Sequence, residues 1–428
     1  MLVEFRVSNF RSIRDEALLS LLASSDKTCE DTNVIQTDAP GVKRVLRSAA
    51  IFGPNASGKS TLLSALQHFS RMVAFSEADE VFRPDLDPTP TSFSLDPAYM
   101  DQPSTFEVTI LLDGTRYQYI LHVKAGQVMY EALHACISSR SQCWFQREYD
   151  AALSSDNNSA YSYYFGPNLK GNKSGWQSAT TGKVPLLTQA ARLNAEQLAP
   201  IYKWFVQNIS VINEHTPKSL LLTKRIMMGS DHRAQYQINE FLKLADTGIN
   251  HIETRLKSSF DHRSSTYSHN RDDIYELTLV HRTKSSETAF TVDQVSSGTR
   301  SLLALAGHLV HCITKGGLLV VDELDSSLHP LIVQLIIQLF QSSSNDRGAQ
   351  LIFSTHDATL LDAPWLLRRD QVWLTDKGTD QATTLTSLHE FKPRKGEALE
   401  RGYLRGRYGG IPFIEENVLG MPDWVSEQ

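Results

Sequence analysis

The stretch Gly53-Pro54-Asn55-Ala56-Ser57-Gly58-Lys59-Ser60-Thr61 decides the reading of this chain. It matches G-x-x-x-x-G-K-[ST] in full. An apolar run from Val45 to Phe52 precedes it, and Thr61-Leu62-Leu63-Ser64-Ala65-Leu66 opens a helix behind it. Strand, glycine loop, helix is the setting in which this pattern makes a phosphate site rather than an ordinary turn. Gly53 and Gly58 let backbone N–H groups turn inward, and the helix N-terminus adds the positive end of its dipole. Lys59 is placed to reach the β- and γ-phosphates, and Ser60 to offer its hydroxyl to a magnesium ion. The expected ligand is a nucleoside triphosphate.

Outward from that loop, 428 residues suggest two or three globular units. With 41% hydrophobic and 21% charged residues, the chain can bury a core and stay soluble. No apolar run reaches the roughly 20 residues of a membrane helix, so no membrane partner is expected. Cys29, Cys136, Cys143 and Cys312 have no metal-ligand spacing and suit a reducing, cytoplasmic setting. The net charge of −6, from 42 basic against 48 acidic side chains, speaks against a protein coated in nucleic acid but leaves room for a local basic patch.

Phe106–Leu112 and Arg116–Val123 flank Asp113-Gly114, a hairpin signal, and Val128–Ala132 reads as the next strand of a meander. Phe82–Pro103, Ser154–Lys183 and Ser258–Asp273 read as loops, the second as a mobile one. Helical patterns fill Gln189–Gly248, and strands return at Ile274–Arg282 and Thr288–Val292. Beyond Ser301, helices alternate with all-apolar strands at Leu318–Val321, Leu351–Phe353 and Val372–Leu374, the mark of a sheet covered on both faces. The expected fold is therefore α/β: one nucleotide domain built from both ends of the chain, 1–92 and 291–428, with 93–290 inserted as a meander and a helical and loop lobe. No heptad pattern suggests a coiled-coil arm.

Leu318–Val321 ends in Asp322 and Glu323. At the mouth of a parallel sheet, Asp322 can help hold magnesium and Glu323 can polarise an attacking water. The next apolar strand ends in Ser354-Thr355-His356, where an imidazole can hydrogen-bond a γ-phosphate. Ser296-Ser297-Gly298 opens the helix before the acidic strand; alone it is only a helix cap, and its order after the glycine loop and before the acidic pair is what gives it weight. His308 and His311 lie a helical turn apart near Cys312, but without further ligands they read as ordinary helix residues. Lys392, Arg394, Lys395, Arg401, Arg405 and Arg407 face only Glu397 and Glu400. This run reads as a solvated or salt-bridged face, with nucleic acid or an acidic partner as the alternative.

This ordered set resembles the ABC-type ATPases, and within them the stand-alone OLD and SMC-like group. Phe5–Ile13 is similar to the opening strand of that group, and Tyr403–Pro412 resembles a stretch in its RloA/AbiL-like members, which are tied to abortive infection. The resemblance implies ATP and Mg²⁺ as cofactors, with Gly53–Thr61 as Walker A and Ser296 and Gly298 as the signature residues. It implies further that Asp322 and Glu323 form Walker B with the catalytic acid, that Asp325 lies in the D-loop and that His356 is the switch histidine. The signature reads Val-Ser-Ser-Gly-Thr rather than Leu-Ser-Gly-Gly-Gln. The family mechanism implies a homodimer or higher oligomer sandwiching two ATP molecules.

Three functions follow as expectations. The first is an ATPase switch of antiviral defence acting on a separate effector such as a nuclease or toxin, because the roughly 70 residues after His356 are too few for a typical domain of about 100. The second is a repair ATPase that clamps DNA directly. The third, an ABC transporter subunit, sits poorly with the long insertion between Walker A and signature.

Overall fold

The computed structural model describes residues 1–74, 91–137, 140–153, 160–213, 219–245, 247–256, 275–394 and 396–412. Of the segments singled out above, the whole of Ser258–Asp273 lies outside the described residues. So do 82–90 of the first loop, 154–159 of the second, 214–218 and 246 of the helical stretch, and Ile274 and Lys395.

Eighteen strands are described. They are β1 (Leu2–Ser8), β2 (Ala17–Ser20), β3 (Val34–Gln36), β4 (Arg44–Leu46), β5 (Ser48–Phe52), β6 (Ser104–Leu112), β7 (Thr115–Lys124), β8 (Gln127–Cys136) and β9 (Ser141–Tyr149). Then come β10 (Tyr161–Phe165), β11 (Ile209–Ile212), β12 (Ile249–Leu256), β13 (Tyr275–Arg282), β14 (Glu287–Thr291), β15 (Leu318–Val321), β16 (Gln350–Ser354), β17 (Val372–Lys377) and β18 (Thr383–Ser387).

The central sheet runs β11-β15-β16-β5-β17-β18, parallel except for β18, which returns antiparallel beside β17. Its middle strands are buried along their whole length, as their unbroken apolar sequences demand. Successive side chains go to opposite cores. Ala49, Ile51, Leu318 and Val320 face the helix Lys59–Ala74, through Leu62, Leu66 and Phe69. Ala50, Phe52, Leu319 and Val321 face the helices Ser297–Lys315 and Pro330–Gln341, through Leu303, Leu305 and Ile336. The period of two in each strand thus divides the helices into two layers around one mixed sheet, the α/β arrangement expected.

A second sheet, antiparallel, runs β10-β9-β8-β7-β6-β1-β2. The expected hairpin is there: Asp113 and Gly114 both have positive φ, 48° and 74°, the conformation a tight two-residue turn requires. Inside this sheet the Glu131 carboxylate is fully buried and fully used. It pairs with Arg147 at 2.8 Å and accepts from the Tyr119 hydroxyl at 2.8 Å and from the N–H groups of Leu186 and Leu187 at 2.7 and 2.9 Å. One carboxylate thereby fastens three meander strands to the start of the helix Leu186–Arg192.

Ser154–Lys183 departs from its reading as a mobile loop. Tyr161–Phe165 pairs with β9, and Lys173–Ala179 is helical with Trp176 buried. Alternation is what makes the strand: Tyr161, Tyr163 and Phe165 are half-buried while Ser162 and Tyr164 face solvent, and the Arg147 guanidinium stacks over Tyr161 at 5.0 Å. Its setting among Ser, Asn and Gly hid the signal.

Candidate functional site

The glycine loop leaves β5 at its carboxyl end and wraps the start of the helix Lys59–Ala74. Gly58 has a φ of +109°, and a Cβ there would stand 2.2 Å from Thr383 Oγ1, so only glycine fits. The loop is braced from behind by hydroxyls. Thr375 Oγ1 meets Ser57 Oγ at 2.6 Å, and the single Thr383 hydroxyl proton is shared between the Ser57 carbonyl at 2.9 Å and Ser12 Oγ at 2.8 Å. Ser12 Oγ in turn donates to Thr61 Oγ1 at 3.1 Å.

Lys59 is buried, 5% exposed, and its ammonium donates to the Gly53 and Pro54 carbonyls at 2.8 and 3.1 Å. Burial lowers its pKa, with Asp322, Glu323 and Asp325 pulling the other way. A poorly hydrated cation held by its own loop, with acids nearby, is poised to exchange those carbonyls for an anion.

Ser354, at the end of β16, orients the acidic turn. Its hydroxyl donates to Asp322 Oδ1 at 2.6 Å and accepts the Glu323 N–H at 2.7 Å. Glu323 has a φ of +52°, an uncommon conformation for a side-chain-bearing residue, imposed where the chain turns sharply out of β15. Asp325 Oδ2 accepts the His356 N–H at 3.1 Å. Asp325 Oδ1 is buried without a hydrogen-bond partner among the described residues, an acceptor with spare capacity beside the loop.

These groups converge at the carboxyl ends of the parallel strands, on a cleft of about 490 Å³ lined by Ser12, Asn55–Thr61, Glu323, His356 and Lys377. Lys59, Ser60, Glu323 and His356 therefore share one cavity, and hydrogen bonds tie Asp322 and Asp325 to its wall. Ser60 and Asp322 supply oxygen donors of the kind magnesium prefers, and the inward-turned loop suits a polyphosphate.

Ser296 and Gly298 do not reach that cleft. Ser296 caps the helix Ser297–Lys315 by accepting the Thr299 N–H at 3.1 Å. A second cleft, about 600 Å³, lies between this helix start and the acidic turn, lined by Ser297, Arg300, Asp322, Glu323, Ser326 and Ser327. Asn213, at the end of β11, faces it too and donates to Gln67 of the loop's own helix at 2.7 Å.

Sequence reasoning missed Thr375, Thr383, Lys377, Ser354 and Asn213 as parts of the site. Thr375 within β17, Thr383 at the start of β18 and Asn213 just past β11 belong to no motif, and Ser354, though quoted beside His356, has no role that spacing reveals; only the pairing of their strands brings them together. Arg407 of the basic run forms an ion pair with Glu397, which also accepts from the Tyr408 hydroxyl at 2.7 Å. Those contacts, led by the Tyr408 hydrogen bond, hold the Glu397 carboxyl below its usual pKa. His308 bonds Ser210 and the Ser219 carbonyl, and no cluster of three or more His, Cys, Asp or Glu able to hold a metal occurs among the described residues. No described helix is long and apolar enough to cross a membrane.

The family model described as "AAA domain, putative AbiEii toxin, Type IV TA system" matches residues 48–362. No curated protein matches the chain. Among solved structures, the SMC head domain from Thermotoga maritima is similar at 15% identity, covering 90% of this chain and 98% of that chain, with a TM-score of 0.41. An SmcHead bound to the C-winged helix domain of ScpA is similar at 12% identity, over 91% and 99% of the two chains, with a TM-score of 0.45. An Smc head domain with an extended coiled coil, bound to the C-terminal domain of ScpA derived from Pyrococcus furiosus, is similar at 13% identity, over 91% and 97%, with a TM-score of 0.43.

Proposed function

Because the chain belongs to the family described as AAA domain, putative AbiEii toxin, Type IV TA system, with an α/β fold of P-loop, ABC-ATPase type, we propose that it binds and hydrolyses ATP as a dimerising switch. The switch acts in prokaryotic antiviral defence and controls a separate effector, a nuclease or toxin; the likeness of Tyr403–Pro412 to RloA/AbiL-like members belongs to this reading. The observation that carries the ATPase is the single cleft in which the glycine loop faces Glu323 and His356.

In this reading the loop N–H groups and Lys59 neutralise the phosphates, so that the lysine leaves the Gly53 and Pro54 carbonyls for the nucleotide. Ser60 and Asp322, the latter fixed by Ser354, hold magnesium, which when bound offsets charge on the phosphate oxygens. Glu323 polarises the attacking water, and His356 donates a hydrogen bond at the γ-phosphate.

Ser296 and Gly298 lie outside the cleft on their own chain, which favours a partner's nucleotide as their ligand and so a head-to-tail dimer. Glu323→Gln removes the base and keeps the shape of the side chain. It is expected to hold the protein as an ATP-loaded dimer by mass photometry, while the wild type returns to monomer as ATP is consumed. A mutant that stays monomeric at saturating ATP refutes the sandwich.

A further inference from the structure

We infer that Lys377 is a nucleotide-binding residue, its ammonium meeting the α-phosphate on the wall of the cleft opposite Glu323 and His356; the inference rests on the ATP-site reading above.

The sheet order sets the two walls. β15 and β16, which deliver Glu323 and His356, lie on one side of β5, and β17 lies on the other. β17 runs parallel to β5, with Val372 beside Ala50 and Leu374 beside Phe52. Both strands therefore end at the same edge of the sheet, and the residues after Leu374 pass alongside the loop. Thr375 is the first of these, with its hydroxyl on Ser57 at 2.6 Å. Two residues on, with its side chain on the same face of the strand, Lys377 lines the cleft.

Its partner in register is Thr383, whose hydroxyl holds both the Ser57 carbonyl and Ser12. Ser12 continues to Thr61, the residue after Ser60 and on the side of the loop away from Glu323 and His356. Lys377 therefore belongs to the inner end of a bound triphosphate, away from the hydrolytic groups.

Lys377 is half-buried as a residue, and its ammonium makes no hydrogen bond or ion pair among the described residues. The neighbouring carboxylate is already committed: Asp376 Oδ1 accepts the Lys377 backbone N–H at 2.8 Å, and Oδ2 accepts the Gly410 N–H at 3.1 Å. A cation lining an oxygen-rich cleft without an ion pair of its own is best satisfied by an anionic ligand. Lys59 is bound to its own loop carbonyls, whereas Lys377 is free to act as a point charge on a flexible stem.

The test measures dissociation constants of ATP, ADP and AMP for wild type, Lys377→Ala, Lys377→Gln and Lys377→Arg by calorimetry. The α-phosphate is common to all three ligands, so Lys377→Ala is expected to weaken each by a similar factor, on the order of tenfold for a lost charge-assisted contact. Lys377→Arg should restore most of it. Thermal midpoints are read alongside, and if Lys377→Ala unfolds early, Lys377→Gln, which keeps most of the stem, decides. Loss confined to ATP overturns the placement and moves the contact to the terminal phosphate. Unchanged affinities overturn the inference while leaving the ATP site standing. A wild-type chain that binds none of the three ligands overturns both readings at once.

Discussion

His308 shows how one half-buried side chain carries a measurable pH dependence. It sits in the helix Ser297–Lys315, its ring between Ser210 and the Ser219 carbonyl. Burial lowers its pKa to about 4, the Ser219 carbonyl opposing and His311 assisting. In the unfolded chain the ring titrates near 6.5, so between that pH and about 4 the unfolded state takes up a proton that the folded state refuses. Stability contributed by neutral His308 is full above about pH 6.5 and is lost as pH falls, by about 3 kcal/mol at most. Urea unfolding across this window is expected to show a shallower loss for His308→Gln than for wild type; parallel curves would refute the assignment. At this scale the sequence was most legible where chemistry is contiguous. Lys59, Ser60, Asp322 and Glu323 announce themselves by spacing. Ser354 and Thr375 do not, because a hydroxyl on a strand acquires its role only from the neighbouring strand.

Among the elements, the meander depends on the buried pair Glu131 and Arg147. The arginine also donates to the Thr181 and Val184 carbonyls at 3.1 and 2.8 Å, so the pair joins β8 and β9 to the segment before Leu186. Its loss leaves a buried charge and two orphaned helix N–H groups. Glu131→Ala is expected to cost about 3–5 kcal/mol in thermal or urea unfolding. Because the pair touches none of the residues lining the glycine-loop cleft, the folded fraction should still bind nucleotide; weakened ATP affinity in that fraction would count against this separation. The hairpin of β6 and β7 was readable from Asp113-Gly114 between alternating strands. β10 was not, because its alternation is carried by tyrosines among serines, and polarity outvoted periodicity.

The whole molecule places the loop helix in one core and the helix Ser297–Lys315 in the other, with the parallel sheet between them. The strand alternation that divides them was visible in the apolar runs, but the strand order was not. That order sets Glu323 and His356 on one side of the glycine loop and Lys377 on the other. Gly298 sets the start of the helix Ser297–Lys315 directly against the turn after the acidic strand: a Cβ there would stand 2.7 Å from the Ser327 carbonyl. At that one contact the backbones touch, so a shift of Ser327 is passed to the helix start. In a head-to-tail pair, each chain's hydrolytic turn would then push on the nucleotide held by its neighbour. Such a pair counts its ligands together, and the ATPase rate should rise sigmoidally with ATP, with a Hill coefficient approaching about 2. A hyperbolic curve would mean that each half keeps its own clock.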